Sequence, residues 1–123
     1  MTTTPSLSPV RDLGPLAWVM DEVRRALDDA VLAVRQFVAD NATARATDLA
    51  EVDATPLRML RQQLHQAVGA LEMVELAAPA QTLRALEALV QRLVQRPAAA
   101  TPEAAQAVGQ GARALADQLD RTL

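Results

Sequence analysis

The chain has no cysteine, no tyrosine and no lysine, and it carries one histidine, one tryptophan and one phenylalanine in 123 residues. Without thiols there are no disulfides, no thiolate zinc sites and no cysteine nucleophiles, and the lack fits a reducing compartment, so a cytoplasmic location is expected. One histidine is too few for a di-iron bundle built on Glu-x-x-His pairs, and the residue three before it is Gln62. No metal site and no cofactor is expected. An aromatic content of 2%, a net charge of -3 and a pI near 5.0 leave neither a stacking platform nor an electrostatic footprint, so nucleic acid is not an expected partner. Glycine-rich phosphate loops and nucleophile-base motifs are absent too. No stretch approaches the ~18 uncharged apolar residues of a membrane span, and MTTTPSLSPVRDLGP has no basic start followed by an apolar run. No membrane insertion of this domain is expected.

Half of the residues are hydrophobic, and with so few aromatics the core has to be made of Leu, Val and Ala, which suit close helix packing. A chain of this length makes one domain, 1–123, burying roughly two-thirds of its unfolded surface. Proline marks the breaks. Gly14-Pro15, Thr55-Pro56 and Thr101-Pro102 each set Pro at a first helical position, with Thr55 and Thr101 as natural N-caps, and Ala78-Pro79 marks another start. Apolar residues recur at three- and four-residue steps after each. The predicted helices span about 15–39 (Leu16, Met20, Val23, Leu27, Val31, Val34, Val38), 56–76 (Leu57, Leu60, Leu64, Val68, Leu71, Val74), 79–96 (Leu83, Leu86, Val90, Leu93) and 102–121 (Val108, Ala112, Leu115, Leu119).

Two of the three connections are short, which favours antiparallel neighbours. The expected fold is all-α, an up-down antiparallel four-helix bundle with Pro5 to Leu13 as a short N-terminal arm. Asp40 to Ala54 forms a longer polar link with room for a helical turn. Trp18 is expected to cover the bundle end or pack under the arm, and Gly109 and Gly111 to allow close helix approach. Leu123 falls so near the end of the last helix that the chain reads as a module of something larger.

The most informative stretch is LRMLRQQLHQAVGALEMVEL, from Leu57 to Leu76. At about 100° per residue, His65 projects roughly 120° from the centre of the buried stripe, on the water-facing flank, in company with Arg58, Arg61, Gly69 and Glu72. Glycine inside a helix costs about 1 kcal/mol relative to alanine, so Gly69 needs a reason. Either a neighbouring helix packs closely there, or an external partner approaches the His65 ring.

His65-Gln66-Ala67-Val68-Gly69-Ala70 resembles the His-x-x-Lys-Gly-Ser/Ala motif of histidine-containing phosphotransfer (Hpt) domains. Leu57 to about Val94, together with DLGPLAWVMDEVRRALDDA at the start of the first helix, looks similar to the N-terminal Hpt-like domain of the chemotaxis-type hybrid histidine kinases that control type IV pili and twitching motility. The resemblance implies a phosphorelay signalling module. His65 would be the phospho-acceptor, and Arg58, Arg61, Gln62, Gln66, Gly69 and Glu72 the docking surface. The partners implied are a receiver (response-regulator) domain, a kinase domain, or both. The isolated domain would not be catalytic, although a parent chain would be a histidine kinase. The motif's basic residue falls on Val68, which also fits the apolar stripe, while Arg61 offers a guanidinium one turn before His65. The alternative is therefore a docking scaffold with the same bundle, holding pilus or polarity proteins without carrying phosphate.

Overall fold

The structure is a computed structural model that describes the backbone of residues 4–46 and 52–122, with side chains from residue 14 onward. Residues 47–51, within the long predicted link, lie outside the described residues. The fold is an all-α four-helix bundle made of α1 (Thr4–Ala46), α2 (Thr55–Met73), α3 (Ala77–Gln95) and α4 (Pro102–Thr122), with a 3₁₀ turn at Pro97–Ala99. Each helix packs on the next and α4 returns to α1, closing a ring of four. Cross-links set the directions. Gln63 on α2 bonds Asp29 on α1, Arg84 on α3 pairs with Glu72 on α2, Gln118 on α4 meets Thr82 on α3, and Arg24 on α1 pairs with Asp120 on α4. Glu72 late in α2 meets Arg84 in the first half of α3, and Gln118 late in α4 meets Thr82 early in α3. Asn41 late in α1 reaches Pro97 just before α4, while Asp120 late in α4 pairs back with Arg24, so the topology is up-down-up-down.

Seven-residue repeats build the core. Leu57, Leu64 and Leu71 of α2 are fully buried, as are Val23, Ala30 and Val34 of α1, Leu83 and Val90 of α3, and Val108, Leu115 and Leu119 of α4. Such spacing keeps one seam of each helix on the bundle axis. Phe37 is the one aromatic in this core. Gly111 creates room: a Cβ there would lie 2.8 Å from Leu86 Cδ2, so α3 and α4 meet closely at that point. Gly109 faces open space, so the expected close approach holds for Gly111 alone.

Three boundaries differ from the sequence reading. The predicted arm, Pro5 to Leu13, continues as the first turns of α1, so Gly14-Pro15 lies inside a helix rather than at its start. A proline removes one backbone hydrogen bond, and the ladder resumes beyond it. With no arm folding back, Trp18 has no cover and is 62% exposed. At its other end α1 runs on to Ala46, because Asn41 donates to the Pro97 carbonyl at 2.9 Å and Arg45 to the Ala98 carbonyl at 3.1 Å, tying the last turns to the 3₁₀ segment. Finally, α2 stops at Met73 instead of running on to about residue 76. Glu75 takes a left-handed φ of 61°, its N–H bonds the Glu72 carbonyl, and that of Leu76 bonds the Leu71 carbonyl, the Schellman pattern usually closed by glycine.

The caps divide as well. Thr101 Oγ1 accepts from the Ala104 N–H at 3.2 Å, as a Thr cap should. Thr55 is not the cap of α2: it lies inside the helix, and Asp53 Oδ1 accepts from its N–H at 3.0 Å and from its hydroxyl at 2.7 Å. These bonds, with a smaller contribution from the charge of Arg58, hold the Asp53 carboxyl below the usual aspartate range.

Two measurements test this account. Gly111→Val is expected to lower stability by about 1–3 kcal/mol in urea denaturation, through overpacking against Leu86, whereas Gly109→Ala is expected to raise it by up to about 1 kcal/mol. Because the folded state holds the Asp53 carboxyl below its unfolded value, the contribution of the Asp53–Thr55 bonds is present above the ordinary aspartate pKa and is lost as pH falls below it. The melting temperature of Asp53→Ala should therefore fall short of the parent's at neutral pH and converge with it in acid.

Candidate functional site

α2 presents three faces, and the burial of Leu64, Ala67, Val68 and Leu71 decides them. With those four directed inward, His65 stands outward on the side of α3, its side chain 69% exposed. Gly69 lies one turn further along, and a Cβ there would meet nothing within 4 Å. No neighbouring helix uses the space that this glycine leaves. Of the two reasons open for Gly69, close packing inside the molecule is the one the structure does not supply.

The ring of His65 is not free to turn. Its Nδ1 lies 3.1 Å from Glu87 Oε2 and 3.3 Å from Oε1, and Arg61 Nη1 reaches the same Oε2 at 3.3 Å. Glu87, on α3, is the least exposed of the three, its side chain 14% accessible. A carboxylate accepts and cannot donate, so the neutral ring carries its proton on Nδ1, and Nε2 keeps its lone pair. Nε2 makes no hydrogen bond to the described residues. The arrangement is an outward-facing nucleophilic nitrogen, oriented by an inter-helix carboxylate that a guanidinium holds from the other side.

The remaining predicted residues separate into neighbouring patches. Glu72 pairs with Arg84 along the α2–α3 edge. Arg58, Gln62 and Gln66 line an open groove of about 800 Å³ between α1 and α2, where Met59 and Ala33 supply apolar wall and Gln63 bonds Asp29 at 3.0 Å. Val68 is 3% exposed, a core residue out of reach of the solvent side of the His65 ring. Arg61 is the cation that approaches the site, and it does so through Glu87.

Sequence reasoning did not single out three residues. Glu87 has no local signal, since its partnership depends on the register between α2 and α3. Met59 and Met73 are 68% and 85% exposed, and with Gln62, Gln66 and Gly69 they follow one another at steps of three and four, a line along the outer face of α2. That spacing was open to reading, but hydrophobic residues are ordinarily assigned inward. Among the described residues no cluster of acidic and histidine side chains could hold a metal ion, and no helix is long and apolar enough to cross a membrane.

The orientation of the ring makes a chemical prediction that needs no partner protein. Phosphoramidate, a small phosphoryl donor, should modify His65 at Nε2, read by ³¹P NMR, with the share of Nδ1 product rising in Glu87→Ala. Equal proportions in both proteins would show that Glu87 does not direct the ring. Compared with known proteins, the chain matches no family model, no curated protein and no solved structure.

Proposed function

We propose that the domain is a phosphorelay module that accepts a phosphoryl group on His65 and passes it to or from a receiver-domain aspartate, in type IV pilus or chemotaxis-like control in the cytoplasm. The observation that carries the proposal is the exposed His65 ring, held at Nδ1 by Glu87, beside the uncovered position at Gly69. In the forward step the Nε2 lone pair attacks phosphorus and an N–P bond forms. The P–O bond to the donor breaks, and its electron pair leaves with the ADP or aspartate oxygen. The ring becomes cationic with Nδ1 still protonated, and Glu87 offsets that charge across 3.1 Å. In the reverse step a receiver carboxylate attacks phosphorus and the N–P electrons return to Nε2. Arg61 holds Glu87 in place, and Gly69 leaves space for the partner's backbone beside the ring. Arg58, Gln62 and Gln66, with Met59, extend the contact toward α1, and Glu72 borders it on the side of α3.

A second reading draws on a specific observation. Val68 occupies the place of the motif's basic residue and is sealed in the core, and the guanidinium one turn before His65, that of Arg61, is engaged with Glu87. A scaffold that docks signalling or pilus proteins on the outer face of α2 needs no cation there.

The experiment is incubation with the cognate kinase and ATP, then with a panel of receivers. An acid-labile, base-stable label is expected on the parent protein, absent in His65→Gln and formed about tenfold more slowly in Glu87→Gln, which loses the charge but keeps the shape. No label with any donor, together with partner binding that is weakened by Gly69→Arg and unchanged by His65→Gln, would replace the relay with the scaffold.

A further inference from the structure

Across the bundle from His65, α1 and α4 enclose an open groove of about 550 Å³. Val38, Ala39, Ala42 and Ala105 make an apolar floor, and Arg35 and Arg113 project from its two sides. Both guanidiniums are exposed, and neither has a hydrogen bond or ion pair with the described residues. No acidic residue lines this groove. Asp40, close by in α1, accepts from Gln36 at 2.8 Å instead. In a chain of net charge -3, two unneutralised cations converge on a strip of small apolar side chains. At Gly109 a Cβ would meet nothing within 4 Å, so the middle of the groove lies open. Arg35, Gly109 and Arg113 also line a second hollow, of about 380 Å³, that extends the first toward Ala116 and has Arg24 and Asp28 on its wall.

We propose that the α1–α4 groove docks an amphipathic helix of a partner protein whose apolar face is flanked by carboxylates that pair with Arg35 and Arg113. Three features favour that occupant. The groove follows α4 from Pro102 to Ala116, about 21 Å or four helical turns, a length that a small anion would leave mostly empty. Its small side chains let a helix approach closely, with larger side chains of the visitor seated between the ridges and over Gly109. Arginine forks pair bidentately with carboxylates, and both forks stand at the rim, where a visiting helix carries its polar flank. A second copy of this chain brought up by two-fold symmetry would offer these arginines one lining carboxylate, Asp28 in the smaller hollow, and none in the larger. The site is independent of the His65 reading, and either can fail alone.

The test is a ¹⁵N NMR titration of the intact chain with a stapled 18-residue Leu/Ala helix bearing two glutamates four residues apart, and with the same helix bearing lysines. The glutamate peptide is expected to shift amides within 35–42 and 105–113 and to bind about tenfold more tightly than the lysine peptide. Arg35→Glu with Arg113→Glu should reverse that order, and Gly109→Leu should weaken the glutamate peptide by filling the groove. All three positions lie outside the buried core, and circular dichroism melts report whether the variants stay folded. Equal affinity for the two peptides, shifts centred elsewhere, or no binding at millimolar peptide would overturn the proposal. Inorganic phosphate shifting the same amides to the same extent would assign the groove to a small anion instead. Concentration-dependent shifts of those amides without peptide would assign it to self-association.

Discussion

Leu57, Leu64 and Leu71 can be removed from water together only if α2 turns one seam to the bundle axis, and much else in the molecule follows from that rotation. Once Leu64 is central, the next residue lies about 100° around the helix and His65 faces solvent on the side of α3. Three residues beyond His65 the rotation brings Val68 back into the core. The same constraint that exposes the imidazole therefore denies the site a cation from that position, and the position serves packing instead.

The electrostatic part of the site is assembled across helices. Glu87 is held between Arg61 and His65, each at 3.1–3.3 Å from its carboxylate, so one acidic side chain of α3 both ties two residues of α2 and decides which ring nitrogen faces outward. Being partly shielded from water, this carboxylate is less screened than the exposed Glu72–Arg84 and Arg24–Asp120 pairs, which contribute little to stability. α3 thus sets the ring, while the outer line from Met59 to Met73 and the groove toward α1 stay open to solvent. The α1–α4 side of the ring of helices has a different character, with arginines over small apolar residues.

Much of the fold was legible because helix periodicity and proline punctuation are local. Leu83, Val90, Leu93, Val108, Leu115 and Leu119 were all identified as inward from their spacing alone, and all are buried. The N-terminal boundary was not legible, since Gly14-Pro15 reads as a start and is passed through by α1. The end of α2 escaped for a related reason. Glu75 adopts the left-handed conformation that glycine would have announced, because the α2–α3 hairpin needs it there. Thr55 failed as a cap because Asp53, two residues earlier, has a carboxylate that can take both its N–H and its hydroxyl.

By itself the sequence determined the helical class, the inward seams, the outward flank of His65 and the cost of an unexplained glycine beside it, because each depends on spacing within one helix. Only the tertiary structure decided that Glu87 grips the Nδ1 side of the ring, that none of the described residues occupies the space at Gly69, and that Arg35 and Arg113 share a groove. Those facts depend on the register and closeness of different helices, which are set by how all four seams pack together, and no single segment encodes them.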